Sequence, residues 1–251
     1  MLSVVVLAAG KGTRMKSDLL KVAHPIGGRP MICHVLDTLR GLSPAPDHFY
    51  VIYGYQGEHL KMLLSGYQGL TFAEQAEQRG TGHAVMQAAP YLQKLQGETF
   101  VICGDTPLMT GASLQKLLTH HKATGAVASM LTTMFDDATG YGRVVRQVDG
   151  SVQAVVEHRD ATPEQLQIKE INTGFFVFDT QQLCQALAVI TPHNAQQEYY
   201  LPDVLAVFTK RGLRVEAVIT PDPAEAMGIN TPEQLAEAER IFTLRVKKLS
   251  R

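Results

Sequence analysis

The sequence predicts an α/β protein built on a doubly wound, mostly parallel sheet. Three observations carry this. Apolar or β-branched runs alternate with helical patterns through the first half of the chain, as strands joined by crossover helices do. Several of those runs are hydrophobic along their whole length, the mark of strands covered on both faces. A glycine turn, "LAAGKGTRM", follows directly on the first run, and in open α/β sheets ligands sit at such carboxyl ends.

In chain order, the run SVVVLA predicts a strand over residues 3–8, and the pattern after Pro30 predicts a helix over 30–42. HFYVIY gives a strand at 48–53, followed by a short helix at 58–64 and a longer one at 82–95. TFVIC gives a strand at 99–103, with a helix at 112–124 and a strand at 127–133 after it. The next stretch is strand-rich: 143–148 and 152–157 form a hairpin turning on Asp149-Gly150, and 173–178 adds another strand. Helices at 181–189 and 201–211 and a strand at 214–219 follow. The last helix, 232–249, has Thr231 as N-cap, Pro232 in its first position and Gln234 completing a capping box. Its Leu235, Ala238, Phe242, Val246 and Leu249 share one face and predict docking. No composition break marks a linker and no internal repeat occurs, so residues 1–251 read as a single domain with 232–250 as its docking helix.

Bulk properties exclude several classes. A net charge of −1 and a pI near 6.8 give no general attraction to nucleic acid or to a membrane surface, and no protein partner is indicated. Cys33, Cys103 and Cys184 are odd in number and widely spaced, which predicts a reduced, cytoplasmic protein rather than a disulfide framework. The apolar N-terminal run is too short for a signal peptide, and no stretch reaches membrane-spanning length.

The positive charge of interest is therefore local. Gly10, Gly12, Arg14 and Lys21 crowd the first turn, where backbone N–H groups can approach an anion without obstruction. Spacing excludes a P-loop, and Met15 stands where a dinucleotide fingerprint needs its third glycine. Glycines alone would be merely geometric; combined with the Arg and Lys they resemble the signature of nucleotidyltransferases that join a nucleoside triphosphate to a phosphorylated small molecule. Asp105, at the end of the strand over 99–103, reads either as a magnesium ligand or as a turn or helix-capping residue. "EQAEQRGTGHA" (74–84) reads equally as a pyrimidine-edge site and as an ordinary glycine-broken connection.

With "TGYGR" (139–143), "VEHRDA" (156–161), "EINTG" (170–174), "QEYYLPD" (197–203) and "MGIN" (227–230), the order and spacing become similar to the uridylyltransferase domain of bacterial N-acetylglucosamine-1-phosphate uridylyltransferases, over essentially the whole chain. The resemblance implies the nucleotide-diphospho-sugar transferase type of Rossmann-like fold. It also implies UTP and N-acetylglucosamine 1-phosphate as substrates, Mg2+ as cofactor, and UDP-N-acetylglucosamine with pyrophosphate as products. Residue by residue, it places Leu7, Ala8, Ala9, Gly10, Gln75, Gly80 and Thr81 at the uridine, and Arg14 and Lys21 at the triphosphate. Asp105 and Asn230 would hold the metal; Gly142, Glu157 and Asn172 would receive the sugar, with Tyr199 and Tyr200 nearby. Arg79 and the histidines carry no assigned chemistry. Leu20 and Cys103 stand where the family usually has Pro and Tyr, and Pro202 where it often has Thr.

The runner-up readings are a cytidylyl or molybdopterin-type transferase, against which "QAEQRGTGHA" and "EINTG" argue, and a catalytically silent nucleotide-sugar sensor. Members of the resembled family usually continue into a β-helix carrying an acetyltransferase. Because the sequence stops at Arg251, the expectation is a chain that converts N-acetylglucosamine 1-phosphate without acetylating glucosamine 1-phosphate.

Overall fold

Three consecutive valines, Val4, Val5 and Val6, are all fully buried. Val4 and Val6 pack into one hydrophobic layer and Val5 into another, so their strand is covered on both faces. That is why the run shows no polar alternation. The structure is a computed structural model, and it describes residues 1–249, the side chain of Leu249 excepted.

The strands are β1 (Leu2–Ala8), β2 (Pro25–Ile26), β3 (Arg29–Pro30), β4 (His48–Tyr53), β5 (Leu70–Glu74), β6 (Glu98–Cys103), β7 (Ala128–Met134), β8 (Arg143–Arg146), β9 (Val152–Val156), β10 (Glu170–Asp179) and β11 (Val215–Ile219). The helices are α1 (Met31–Arg40), α2 (Gly57–Leu63), α3 (Thr81–Met86), α4 (Ala89–Leu92), α5 (Gly111–Thr124), α6 (Pro163–Leu166), α7 (Thr180–Leu187), α8 (Asp203–Lys210) and α9 (Pro232–Leu249). The main sheet has the order β11-β7-β10-β6-β1-β4-β5, with the β8–β9 hairpin paired to β10. β1 pairs in parallel with β4 on one side and β6 on the other. The chain therefore reverses its strand order about β1, which opens a crevice at the carboxyl ends of β1 and β6. β10 alone in the row runs against its neighbours β6 and β7.

Several differences from the sequence-based expectation have physical reasons. β5 was not expected: it lies on the sheet edge, and Leu70, Thr71 and Phe72 are only half-buried, so no apolar run marks it. β10 begins at residue 170 rather than 173, because Glu170 enters the sheet buried. Its carboxylate accepts from Arg146 Nε at 2.8 Å and Thr132 Oγ1 at 2.6 Å, which satisfies the charge. The helix expected over 82–95 divides into α3 and α4, since Pro90 can open a helix but not continue one. In α9 the capping box forms, with Gln234 N donating to Thr231 Oγ1 at 3.3 Å and Thr231 N to Gln234 Oε1 at 3.2 Å. Ala238 is buried beside Met15, Ile26 and Met31, with Leu235, Ile241 and Phe242 packed around it. Val246, expected on that face, is 45% exposed. In its place Arg245 turns inward, donating to the Leu108 carbonyl and pairing with Asp222 at 2.7 Å. The side chain of Leu249, and residue 250, lie outside the described residues. Among those described, no helix is long and apolar enough to cross a membrane.

The two adjacent histidines of α5 are tied into the fold by hydrogen bonds. His120 Nε2 meets Glu216 at 3.2 Å, and His121 is buried with Nδ1 2.9 Å from Ser129 Oγ. Burial holds His121 neutral, lowering its pKa to about 4. A lowered folded-state pKa gives stability that is present above the unfolded value of about 6.5 and lost as pH falls toward 4. By that linkage, stability should fall by about 3 kcal/mol more between pH 6.5 and 4 than in His121→Gln. Urea titrations at the two pH values check this, and equal falls would show that His121 does not report acid unfolding.

Candidate active site

Alternation along β1 decides which side chains reach the crevice. Leu7 and Ala9 face a cavity of about 310 Å³, which Gly10, Gln75, Gly80 and Thr81 also line. This volume is at the lower end of small-molecule sites. Ala8, between them, points to the opposite face and packs in the core with Val4 and Val6. Its side chain does not line the cavity, unlike the expectation drawn from the resemblance. Four unassigned residues do line it: Gln78, Ala84, Cys103 and Glu198. Gln78, Ala84 and Glu198 lie inside quoted motifs, so the motifs located them without singling them out.

The far wall is held by backbone. Gly82 N donates to Tyr199 O at 2.7 Å, and Tyr199 N to Arg79 O at 2.8 Å. Thr81 Oγ1 accepts from Leu201 N at 3.0 Å. Gly80, at φ +101°, sits in this clamp; a Cβ there would fall 2.5 Å from Tyr199 O. Burial pushes the Cys103 thiol up to about 12, so it lines the site as a neutral group.

A second cavity adjoins the first and is lined by Gly10, Gly12, Thr13, Arg14, Lys21 and Asn230, among others. Gly12 lies at φ +65°, and a Cβ on it would come 2.6 Å from Lys21 Cβ, so the turn closes onto Lys21 only without a side chain. Met15 is buried and pins the loop from below, leaving Arg14 exposed above it. Arg14 makes no ion pair among the described residues. Leu20 has φ −51°, close to what proline would impose, and its side chain is 2% exposed. Packing of the Leu20 side chain thus fixes the backbone ahead of Lys21 without a proline ring.

Lys21 Nζ forms an ion pair with Asp105 Oδ2 and donates to Asn230 Oδ1 at 3.0 Å. The backbone brings these two acceptors together: Ile229 N donates to Asp105 O at 2.9 Å, and Asn230 N to Gln234 Oε1 at 2.8 Å. A carboxylate and an amide oxygen therefore converge on one cationic group, a donor set that fits a hard divalent ion in the ammonium's place. Among the described residues no cluster of three or more His, Cys, Asp or Glu could hold a metal, so any ion here would complete its coordination with oxygens from water or a bound ligand.

Against this geometry, residues 4–164 match the profile of the MobA-like NTP transferase domain. The chain belongs to that family. It is also 48% identical over 242 residues to a bifunctional protein GlmU of Geobacillus thermodenitrificans, covering 96% of this chain and 52% of the relative. It is 49% identical over 235 residues to a bifunctional protein GlmU of Exiguobacterium sibiricum, covering 94% and 51%. The chain thus spans about half the length of the curated relatives it matches. A Bacillus anthracis crystal structure assigned as a glucose-1-phosphate thymidylyltransferase, in complex with sucrose, superposes with a TM-score of 0.78 over 96% of this chain and 95% of that one. At 18% identity it shows a shared fold.

In this member of the MobA-like NTP transferase family a third cavity, of about 390 Å³, lies beyond Asp105. Gly142, Glu157 and Asn172 line it together with Arg14, Tyr141 and Asn230. Asn172 N donates to Gly142 O at 2.9 Å, joining β10 to the hairpin. Asn172 Oδ1 accepts from Gly174 N at 2.9 Å, and its amide donors have no partner among the described residues. The Glu157 carboxylate has no hydrogen-bond partner among the described residues. Burial raises its pKa, with Asp160 and Asp203 adding repulsion. Tyr199 and Tyr200 do not line this cavity. Tyr200 is buried, its hydroxyl accepting from Gln196 Nε2 at 2.6 Å, and the Tyr199 ring lies 5.2 Å from the Arg79 guanidinium.

Proposed function

We propose that this chain is a uridylyltransferase, forming UDP-N-acetylglucosamine and pyrophosphate from UTP and N-acetylglucosamine 1-phosphate. One observation carries the reading. Three adjoining cavities meet at Lys21, Asp105, Asn230 and Arg14, each of which lines two of them. That division suits a base, a row of phosphates and a sugar. The motif resemblance supplies the particular substrates, and the GlmU relatives agree with it.

The base cavity supports uracil. The Nε2 of Gln75 is committed to Gly80 O at 3.0 Å, while its Oε1 accepts no hydrogen bond among the described residues and can face the N3–H of uracil. Cytosine presents a lone pair at that position. The sugar phosphate then attacks the α-phosphorus in line. A P–O bond forms to its phosphate oxygen, the bond to the β-phosphate bridging oxygen breaks, and pyrophosphate leaves with the electron pair. The nucleophile is already ionised near neutral pH, so no general base is needed. What the residues supply is alignment and neutralisation of charge. Lys21 and Arg14 face the phosphates, and Glu157 and Asn172 offer an acceptor and donors to sugar hydroxyls and amide. A magnesium ion held by Asp105 and Asn230 would add charge neutralisation at the reacting phosphate. The three cysteines are free thiols, which supports a cytoplasmic setting.

A matrix of nucleoside triphosphates against sugar 1-phosphates, read by product mass, tests this. UTP with N-acetylglucosamine 1-phosphate should dominate, and only with a divalent ion present. Equal use of CTP would remove the uridylyl assignment, and undiminished turnover in excess chelator would remove the metal. Within the site, Glu157→Ala and Asn172→Ala should each raise KM for the sugar phosphate about tenfold, the worth of a hydrogen bond to a charged or buried group. UTP affinity should stay within about twofold, measured by calorimetry. Loss of UTP binding with unchanged sugar dependence would mean that the two end cavities are exchanged.

A further inference from the structure

His83 stands just outside the base cavity, on α3, and the reaction proposed above gives it no task. Its Nδ1 lies 3.2 Å from Gln75 Nε2. Gln75 is only 3% exposed, and its backbone is fixed by Gln75 N donating to Tyr53 O at 2.7 Å. The side-chain amide is therefore free only to turn end for end. Gly80 O, an acceptor and nothing else, already draws the NH₂ end at 3.0 Å. The second amide proton needs a second acceptor, since a buried donor left unpaired is costly.

A neutral imidazole has one proton. On Nδ1 it would oppose the Gln75 amide donor inside a nearly dry site. On Nε2 it points toward a separate cavity that His83 shares with Met86 and Tyr199, and past the Gln87 amide nitrogen 3.3 Å away. Gln87 gives one amide proton to His83 O at 2.9 Å and is only half-buried, so water can take the other, a relief that buried Gln75 lacks. Nδ1 is thus the lone-pair nitrogen, and Gln75 has both amide protons paired.

We propose that His83 is a specificity-determining positioning residue. By accepting from Gln75 it holds the amide with oxygen toward the base, so that the pocket pairs with the N3–H of uracil and opposes the N3 lone pair of cytosine. This rests on the uridylyltransferase reading. Without the Nδ1 acceptor the amide can turn, offering its NH₂ group to cytosine.

The test is calorimetric titration of UTP and of CTP, without sugar phosphate, into wild type, His83→Phe and His83→Asn. Phenylalanine keeps ring bulk and removes the acceptor, whereas asparagine returns an oxygen near the Nδ1 position. The UTP-to-CTP affinity ratio should fall about fivefold in His83→Phe, the size of one net hydrogen bond, and recover in His83→Asn. If His83→Phe does not fold, His83→Leu takes its place in the comparison. An unchanged ratio, or equal weakening of both nucleotides, would overturn the assignment by showing a purely structural role. Wild type binding both nucleotides equally would instead overturn the uridylyl reading itself. The two failures are therefore distinguishable.

Discussion

Lys21→Ala should lower turnover by about 10² to 10³, comparable to losing one preorganised donor at developing charge. The basis is position. Among the described residues Lys21 is the one cation lining both the first and the second cavity, the proposed base and phosphate sites, and its side chain is only 14% exposed. Arg14→Ala should cost less, about tenfold to a hundredfold, since Arg14 is exposed and a solvated charge loses part of its effect. Arg79→Ala should change turnover less than twofold, because Arg79 lies over Tyr199 and lines none of the three cavities. Steady-state kinetics on the three variants decide the matter. Similar losses in all three would mean a diffuse basic surface with no built phosphate site.

The same substitution has a second signature. Removing Lys21 leaves Asp105, also 14% exposed, without its counter-charge. Stability in chelator should therefore fall by about 1–3 kcal/mol. Added magnesium should recover more stability in the variant than in wild type, by binding where the ammonium had been.

The sheet was legible where hydrophobic burial writes itself into consecutive residues. Val4-Val5-Val6 and Phe100-Val101-Ile102 leave little choice about a central strand. β5 was not, because an edge strand buries little and Leu70–Glu74 carries no run. The start of β10 was hidden for the opposite reason: Glu170 and Asn172 look like loop residues until Arg146, Thr132 and the hairpin supply their partners. In α9 the cap was readable, being local, whereas the fate of Val246 depended on where the body beneath the helix turns polar.

The site divides in the same way. Glycine turns and charged residues at strand ends could be read, and the cavities gather them. Strand alternation alone separates Ala8 from Leu7 and Ala9, a distinction that a contiguous motif does not carry. His83 could not be read at all. A histidine in "RGTGHA" has no visible task until Gln75, eight residues away, folds against it.

Gly80→Ala should be the most damaging single-atom change in the base site. At φ +101° and ψ 174° the residue occupies a region that is nearly glycine's alone, and adding a Cβ costs about 1–3 kcal/mol from backbone strain. Sterics add to it, because the new atom would lie 2.5 Å from Tyr199 O and 3.0 Å from Tyr199 N, both backbone atoms with little freedom to retreat. To relieve the clash, residues 79–82 must part from 199–201. That breaks the Gly82–Tyr199 and Tyr199–Arg79 hydrogen bonds and frees Thr81 from Leu201. A total loss of about 3–5 kcal/mol follows, together with at least a tenfold weaker grip on UTP. Gly150→Ala is the matched control: it sits at φ +86° in the β8–β9 turn with nothing within 4 Å of the added carbon, so it carries strain without collision. It should cost about 1 kcal/mol and leave UTP binding unchanged. Thermal melts and UTP titrations on both variants compare collision with strain directly, and equal costs would show that the clamp between the two segments does not hold the base site in shape.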